Sequence, residues 1–439
     1  MAFTGQKGSF GDGTDFDLVL KDYYEGPVRE HLNNKIPLLK HIEKSNRKWS
    51  GRKIVFPVHN GRNFGVGGRG EAGTLPTAGK QAYVESQILS KFLYGRIEIS
   101  GPVIAASQGD RGSFASALRT EIEGMRRDLR VDFNRQCFGN VIASTGGNKE
   151  TTGLLAKCAA GVTVPTAGPS TASVTFNSPG TRYLKKGMKL NFGTVTGAVA
   201  GEGELTAAVK PLTVDSVTNT TTVVLKNNSG GDITVDAADV AVLGDASANA
   251  FNNEITGLEH MLSEDIKLQN LDPSTVTDWK ANVQDNPAAA GTNRPLSLEL
   301  MQLCIDVTDE VAGEEPNLMI GHHSMRREYI NLLTSDVRYS PEQLRGGFTK
   351  LTYAGGMTPM PIEFDRMAPY NKLYFLNTKD IKMYVVKDWA WADRDGSVLS
   401  RVSNTDGWEA FMCWYGNLGL ERRFSQTVLA DIEVDNLIF

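Results

Sequence analysis

The feature that most constrains this chain is one long amphipathic run, Ser113 to Phe138, reading SFASALRTEIEGMRRDLRVDFNRQCF. Apolar residues fall at Phe114, Leu118, Ile122, Met125, Leu129, Phe133 and Cys137, in steps of four or three. That spacing draws a single stripe along a helix. Ser113 stands where an N-cap belongs and Gly139 where a helix stops. At 1.5 Å per residue such a helix is about 40 Å long. Arg119, Glu123 and Arg127 lace its outer face with i,i+4 charge pairs. Gly124, in mid-helix, costs about 1 kcal/mol against Ala, which predicts close packing there. An ordinary core helix accounts for the pattern, so its neighbours in sequence decide what it is for.

Before it, Lys53–His59 (KIVFPVH) reads as a strand that Pro57 confines to a sheet edge. Residues 60–80 then carry seven glycines, and a β-run returns over Gln81–Ser100. Val84, Ile88 and Phe92 share one face of that run, and Leu93, Ile97 and Ile99 the other. The change of phase places a bulge or bend near Gly95. Residues 50–101 thus form a long hairpin whose tip cannot build its own core. An isolated two-stranded ribbon is marginal in water, so the tip needs a surface to lie on. Arg62, Phe64, Arg69 and Glu71 make that tip a mixed-charge surface with one aromatic anchor, and intersubunit contact is the preferred reading over a solvated loop.

After the helix, residues 161–244 turn rich in Val, Thr, Gly, Ala and Asn, with short strands in SVTFN, MKLNFGTV, LTVDSV, TTVVLK, ITVDA and VAVL. Turn signals separate them, the pattern of a small barrel or sandwich inserted into the chain. From about 250 the patterning is mixed. Helices are expected in 295–313 and 324–333, and strands in 317–321, 360–365, 372–377, 381–386 and 411–424. At the other end, residues 14–25 read as a short helix in an arm too poor in apolar residues to stand alone. The fold class is α+β.

Length and charge bound the function. At 439 residues the chain is expected to hold about three domains. With 46 basic and 51 acidic residues its net charge is −5, which argues against a dedicated nucleic-acid binder but not against a container for nucleic acid. Cys137, Cys158, Cys304 and Cys413 are far apart in apolar contexts and read as reduced core thiols. The start lacks a signal-peptide pattern and no apolar run reaches the ~18 residues of a membrane span, so a soluble protein of a reducing compartment is expected. GVGGRG (Gly65, Gly67, Gly70) matches G-x-G-x-x-G, but Gly73, Pro76 and a strand follow where a dinucleotide fold needs a helix. Gly79-Lys80 fails as a P-loop because Gln81 stands where Ser or Thr belongs. His322-His323 with Glu328 lacks metal-ligand spacing. No G-x-S-x-G elbow or triad signature is present. The expectation is therefore no enzyme, no cofactor and no metal.

The order of arm, glycine-tipped hairpin, RIEISGPVIAAS and one long helix resembles the major capsid proteins of tailed bacteriophages, the Hong Kong 97 fold. MPIEFDRMAPYNKLYFLNTKDIKMY (360–384) is similar to the family's segment with Asp after a strand, then Pro and Asn before an aromatic strand. FMCWYGNLGLERRFSQTVLADI resembles its final returning strand. The resemblance implies an N-terminal arm at 1–49 and an E-loop at 50–101. It implies a P-domain at 102–160 and 411–439, with spine helix 113–138 and core stripe Phe114, Leu118, Ile122, Met125, Leu129 and Phe133. Residues 161–244 form an inserted all-β domain, and 245–410 are mainly A-domain with P-domain portions. It implies a major capsid protein of the virion, assembled in the host cytoplasm, whose pentamers and hexamers close an icosahedral shell around double-stranded DNA. The implied partners are further copies of the chain, a separate scaffolding protein (the hairpin begins too early for an internal one), a portal protein, possible decoration protein and non-specific contact with the packaged DNA, with no membrane. No Lys–Asn crosslink is expected, although Lys80 and Lys91 lie on the hairpin. The same-fold alternative is an encapsulin-like nanocompartment shell, and the different-class alternative is a β-rich adhesin or glycan-binding protein.

Overall fold

The computed structural model of the chain describes residues 36–49, 51–102, 111–139, 151–166, 170–177, 179–196, 204–237, 239–244, 249–287, 292–334, 352–353, 355–356, 359–393, 398, 400–402 and 405–434. The helix expected over 14–25 lies outside the described residues. The described chain opens with helix α1 (Pro37–His41) and strand β1 (Glu43–Lys44). β2 (Lys53–Gly61) and β3 (Ala82–Leu89) pair as an antiparallel ribbon, followed by β4 (Lys91–Ser100) and the long helix α2 (Arg111–Phe138). Then come β5 (Leu154–Lys157), β6 (Val162–Val164), β7 (Thr171–Thr175), β8 (Lys189–Thr196), β9 (Glu204–Val217), β10 (Thr222–Lys226), β11 (Ile233–Val235) and β12 (Asp239–Leu243). The remainder mixes α3 (Leu258–Met261), β13 (Asn282–Gln284), α4 (Leu298–Ala312), β14 (Leu318–Gly321), α5 (His323–Thr334), β15 (Thr352–Tyr353), β16 (Met360–Phe364), β17 (Leu373–Leu376), β18 (Ile381–Trp391), β19 (Ser400–Arg401), β20 (Gly407–Leu420) and β21 (Thr427–Leu429).

Helix α2 begins two residues ahead of Ser113 and ends where expected, with Gly139 at φ +70°, a left-handed stop that glycine adopts without strain. It lies on a five-stranded sheet in which β20 is central, flanked by β18 on one side and β4 on the other. The contact is close because of Gly95 on β4. A Cβ there would stand 2.6 Å from Leu129 Cδ1 and 3.1 Å from Met125 Sδ. Gly124, by contrast, has nothing within 4 Å of an added Cβ, so the close approach predicted at that glycine occurs across the interface at Gly95 instead. Beneath the helix, Phe133 meets Trp389 and Trp414 edge-on at 5.7 and 5.2 Å. Burial of such a ring contributes about 2–3 kcal/mol.

The helix's C-terminal end is fastened by polar contacts. Buried Arg135 binds Glu254 at 2.9 Å and Asp132 at 2.8 Å. Asn134 Nδ2 donates to both oxygens of buried Asp365 at 2.8 and 2.9 Å, which joins the helix to the end of β16. That Asp is the one singled out in MPIEFD, and its work here is structural.

The phase change in the hairpin's return falls at Ser90, not near Gly95. Ser86 and Ile88 are buried on β3, whereas Gly95, Ile97 and Ile99 are buried on β4. Phe92 is consequently exposed and does not share a face with Ile88. The two halves also have different partners: β3 pairs with β2, and β4 with β20. The ribbon proper therefore covers 53–89, and Lys91–Ser100 belongs to the central sheet.

β5, β12, β8, β9, β10 and β7 form one antiparallel sheet in that order. A bridge between Cys158 and Phe176 brings β7 back to β5, with Asn177 N donating to Lys157 O and Ala159 N to Thr175 O, both at 2.8 Å, and closes the sheet into a barrel. Its interior is its own cluster, in which Phe176 and Phe192 stack beside Leu190, Val214, Val223 and Leu225. The sheet takes in Leu154–Lys157, ahead of the boundary at 161. A third sheet, β13-β21-β17-β14-β16-β15, mixes parallel and antiparallel pairs, with α4 and α5 packed on it. Ser297 caps α4 through Leu300 N, and Gly313 ends it at φ +67°. The four cysteines are buried and free.

Candidate assembly surface

The ribbon has a rooted half and an unsupported half. At the root, Ile54, Phe56 and Val58 of β2 and Ile88 of β3 are buried, with Phe56 stacked on Tyr384 of β18. Gln87 N donates to Gln269 O at 2.9 Å, and Asn417 Nδ2 donates to Leu89 O at 3.0 Å. The Gln269 amide, reaching Ser86 Oγ at 2.8 Å, also bonds the main chain of Leu420. Polar groups from β20 and the 268–271 turn thus satisfy the ribbon where it meets the body.

From His59 to Glu85 every residue is exposed or half-buried. Phe64 is 89% exposed, Leu75 83% and Val66 67%. Among the described residues the hydrogen bonds of the tip are local. Asn63 Oδ1 accepts from Gly65 N at 2.7 Å, and Gly73 N donates to Gly70 O at 2.9 Å. Arg69 donates to Thr74 O at 3.1 Å and Gly68 O at 2.9 Å, so its guanidinium shapes its own loop. Of the four tip residues named from sequence, Arg62, Phe64 and Glu71 project without such a tie among the described residues, and Arg69 does not. Val66 and Leu75 were missed, since single apolar residues between glycines and a proline carry no periodic signal. Three large apolar side chains thus stand exposed on a protrusion without a core of its own.

A second exposed surface is the face of the central sheet turned away from α2. Phe92 and Tyr94 of β4 meet Tyr415 at 5.1 and 6.0 Å, and Tyr94 meets Phe411 at 6.4 Å. Arg96 with Glu98 and Glu409 borders this aromatic patch. On the buried side, Ile122 and Phe133 of the helical stripe are buried, and Met125 and Leu129 half-buried against the sheet. The side chains of Phe114 and Leu118 lie outside the described residues.

The other sequence candidates resolve into structural roles. His322 Nδ1 accepts from Ser324 N at 3.1 Å at the start of α5, and its ring meets Tyr370 edge-on. Burial, then the neighbouring Arg182, His323 and Arg327, holds its pKa at about 3, so it is neutral at ordinary pH. Among the described residues no group of three or more His, Cys, Asp or Glu side chains could hold a metal ion. No helix among them is long and apolar enough to cross a membrane.

No family model and no curated protein matches the sequence. Among solved structures, the chain is similar to the capsid asymmetric unit of cyanophage A-1(L), with TM-score 0.51 and 12% identity over 90% of this chain and 93% of that one. Lower likenesses are to the capsid of the native GTA particle (TM-score 0.46, 8% identity, 90% of each chain) and to the SrpI encapsulin complex of Synechococcus elongatus PCC 7942 (TM-score 0.39, 10% identity, 92% and 91%). The fold is therefore that of a viral capsid subunit, the Hong Kong 97-like architecture that the order of elements suggested.

Proposed function

We propose that the protein is a major capsid protein. Its copies associate into pentamers and hexamers that close an icosahedral shell around double-stranded DNA, and its role is structural and not enzymatic. The observation that carries this reading is the ribbon: no residue from 59 to 85 is fully buried within the subunit, yet the tip presents Phe64, Val66 and Leu75. Covering that surface on a neighbouring copy removes apolar area from water, and each subunit both gives and receives such a contact. Many weak contacts closed into a shell hold far more tightly than any one of them. Arg62, Phe64 and Glu71 are assigned to the intersubunit contact, with Arg69 holding the shape of the loop.

In this reading 1–49 is the arm, 50–101 the E-loop, 102–160 with 411–439 the P-domain, and 245–410 mainly the A-domain. The barrel is an insertion that stiffens or decorates the subunit. Assembly uses a separate scaffolding protein and a portal, and a decoration protein is a further candidate partner. The test is deletion of residues 62–74 in protein co-expressed with its scaffolding protein, followed by negative-stain microscopy and circular dichroism. The expected result is a folded subunit that forms no stable shells. Normal particles from the deletion variant would refute the contact, and a persistent monomer from the intact chain would refute the capsid reading.

A further inference from the structure

On the side facing the barrel, the middle of α2 is left uncovered. A cleft of about 700 Å³ separates it from the barrel's turn at 185–188. Half of the charged groups lining this cleft are already engaged. Arg96 pairs with Glu98 and Glu409, and Arg135 with Asp132 and Glu254. Arg182 donates to Arg366 O and lies 4.2 Å over the Tyr370 ring. Four exposed charges remain, and they are sorted by wall. Glu121 and Asp128 stand on the helix, Lys185 and Lys186 on the turn, and none of the four has an ion-pair partner among the described residues.

Glycines lie among these opposed charges. Gly124 shares a helical face with Glu121, three residues before it, and Asp128, four residues after it. Gly187 follows the two lysines at φ +87°, and a Cβ added at either glycine meets nothing within 4 Å. Both walls are thus bare backbone at these points, which permits a nearer approach than a side chain allows. The floor is apolar and its burial is unfinished: Met125 and Leu129 of α2, Met188 and Leu243 of the barrel, and Met367 are all half-buried. Methionine adapts its shape to a changing gap. The barrel joins the subunit at a neck, where Thr152 N donates to Asn252 Oδ1 at 3.1 Å and Asn252 N to Thr152 O at 2.9 Å. It is tied again by Tyr183 OH, which donates to Met367 O at 3.3 Å. Gly187 N holds the turn to Val214 O at 2.8 Å, but the turn has no hydrogen bond to α2 among the described residues.

We propose that this cleft is a latch: the turn at 185–188 closes on α2, pairing Lys185 and Lys186 with Glu121 and Asp128 across Gly124, so that the barrel clamps the middle of the long helix. Closure completes the burial of the methionine floor and covers a mid-helix glycine that the open cleft leaves bare. An exposed ion pair shifts an equilibrium by only about 1.4- to 5-fold, so two pairs hold the latch weakly and salt opens it. The latch goes beyond the capsid reading and does not depend on it, because both walls belong to one subunit.

The test treats the unassembled full chain with a zero-length carbodiimide, which joins a lysine amine to a carboxylate only where the two are in contact. Crosslinked peptides of the monomer fraction are read by mass spectrometry. Lys44 and Asp388, 2.6 Å apart and accessible, serve as the internal standard. Amides joining Lys185 or Lys186 to Glu121 or Asp128 are expected at about 20 mM salt, and to fall at least about threefold against the standard at about 500 mM. Gly124→Trp wedges the cleft and leaves all four charges in place, so the cleft amides are expected to vanish while the standard and the parental circular dichroism persist. A second variant exchanges the walls, Glu121→Lys and Asp128→Lys with Lys185→Glu and Lys186→Glu, and is expected to restore the amides in the reversed sense. That variant decides the matter if the tryptophan protein does not fold. Absence of the cleft amides from the parent while the standard forms would overturn the latch. So would an undiminished yield in folded Gly124→Trp, since the lysines would then span an open cleft, or absence of the reversed amides from the exchanged variant.

Discussion

Replacement of Gly95 by Val tests the contact that sets the helix on its sheet. A Cβ at position 95 stands 2.6 Å from Leu129 Cδ1 and 3.1 Å from both Leu129 Cγ and Met125 Sδ. Carbon atoms in contact prefer about 3.5–4.0 Å, so the Leu129 methyl is about 1 Å too near. An Ala at 95 is met by rotation of that half-buried side chain and costs about 1 kcal/mol. A Val adds two γ carbons that no single rotamer clears, so α2 must lift from β4 and loosen Phe133 from Trp389 and Trp414. Overpacking of this kind costs about 1–3 kcal/mol. At about 2 kcal/mol the midpoint of unfolding falls by about 2–3 °C for a chain of 439 residues, at about 2.1 cal/mol/K of unfolding entropy per residue. The assay is thermal unfolding of unassembled protein followed by near-ultraviolet circular dichroism, which reads the packing of the chain's six tryptophans, Trp389 and Trp414 among them. Leu129→Ala removes the obstructing methyls, so the double variant Gly95→Val, Leu129→Ala is expected to be more stable than the sum of the single losses by at least about 1 kcal/mol. Strict additivity, or a Gly95→Val protein as stable as the parent, would refute the close contact.

Gly124→Ala is expected to stabilise the subunit by up to about 1 kcal/mol, since its Cβ meets nothing and only the helix propensity changes. A loss of stability in denaturant titration would count against that. His322 has a folded pKa of about 3 against an ordinary value near 6.5, so it adds stability that is whole above about pH 6.5 and declines as pH falls toward 3. His322→Asn keeps an acceptor for Ser324 N and removes the titration, and melting curves between pH 7 and about 4.5 should lose part of their acid sensitivity. An identical pH profile would refute the assignment. Arg423, fully buried, donates to the carbonyls of His260, Met261, Ile266 and Trp279 at 2.8–3.3 Å. Arg423→Leu leaves those four acceptors without this donor and is expected to cost more than about 4 kcal/mol, read as loss of soluble folded protein. Soluble protein with a parental melting curve would show that the 260–279 segment does not depend on it.

What the sequence made legible was local, and what it hid was the choice of partner. The stripe on α2 was readable because a helix buries one face at a fixed period, and Gly139 marked its end because φ +70° strains other residues. The bareness of the ribbon tip was readable because seven glycines leave nothing to form a core. The split of the return strand at Ser90 was not. Alternation runs along both β3 and β4, and nothing in it says that the second half pairs with β20, more than 300 residues away. Arg69 was misjudged for a related reason: a charge in a loop looks free until the carbonyls of Gly68 and Thr74 fold back onto it. Asn134 is the extreme case: its bond to Asp365, 231 positions away, exists only because α2 packs against the end of β16, and no local pattern announces it.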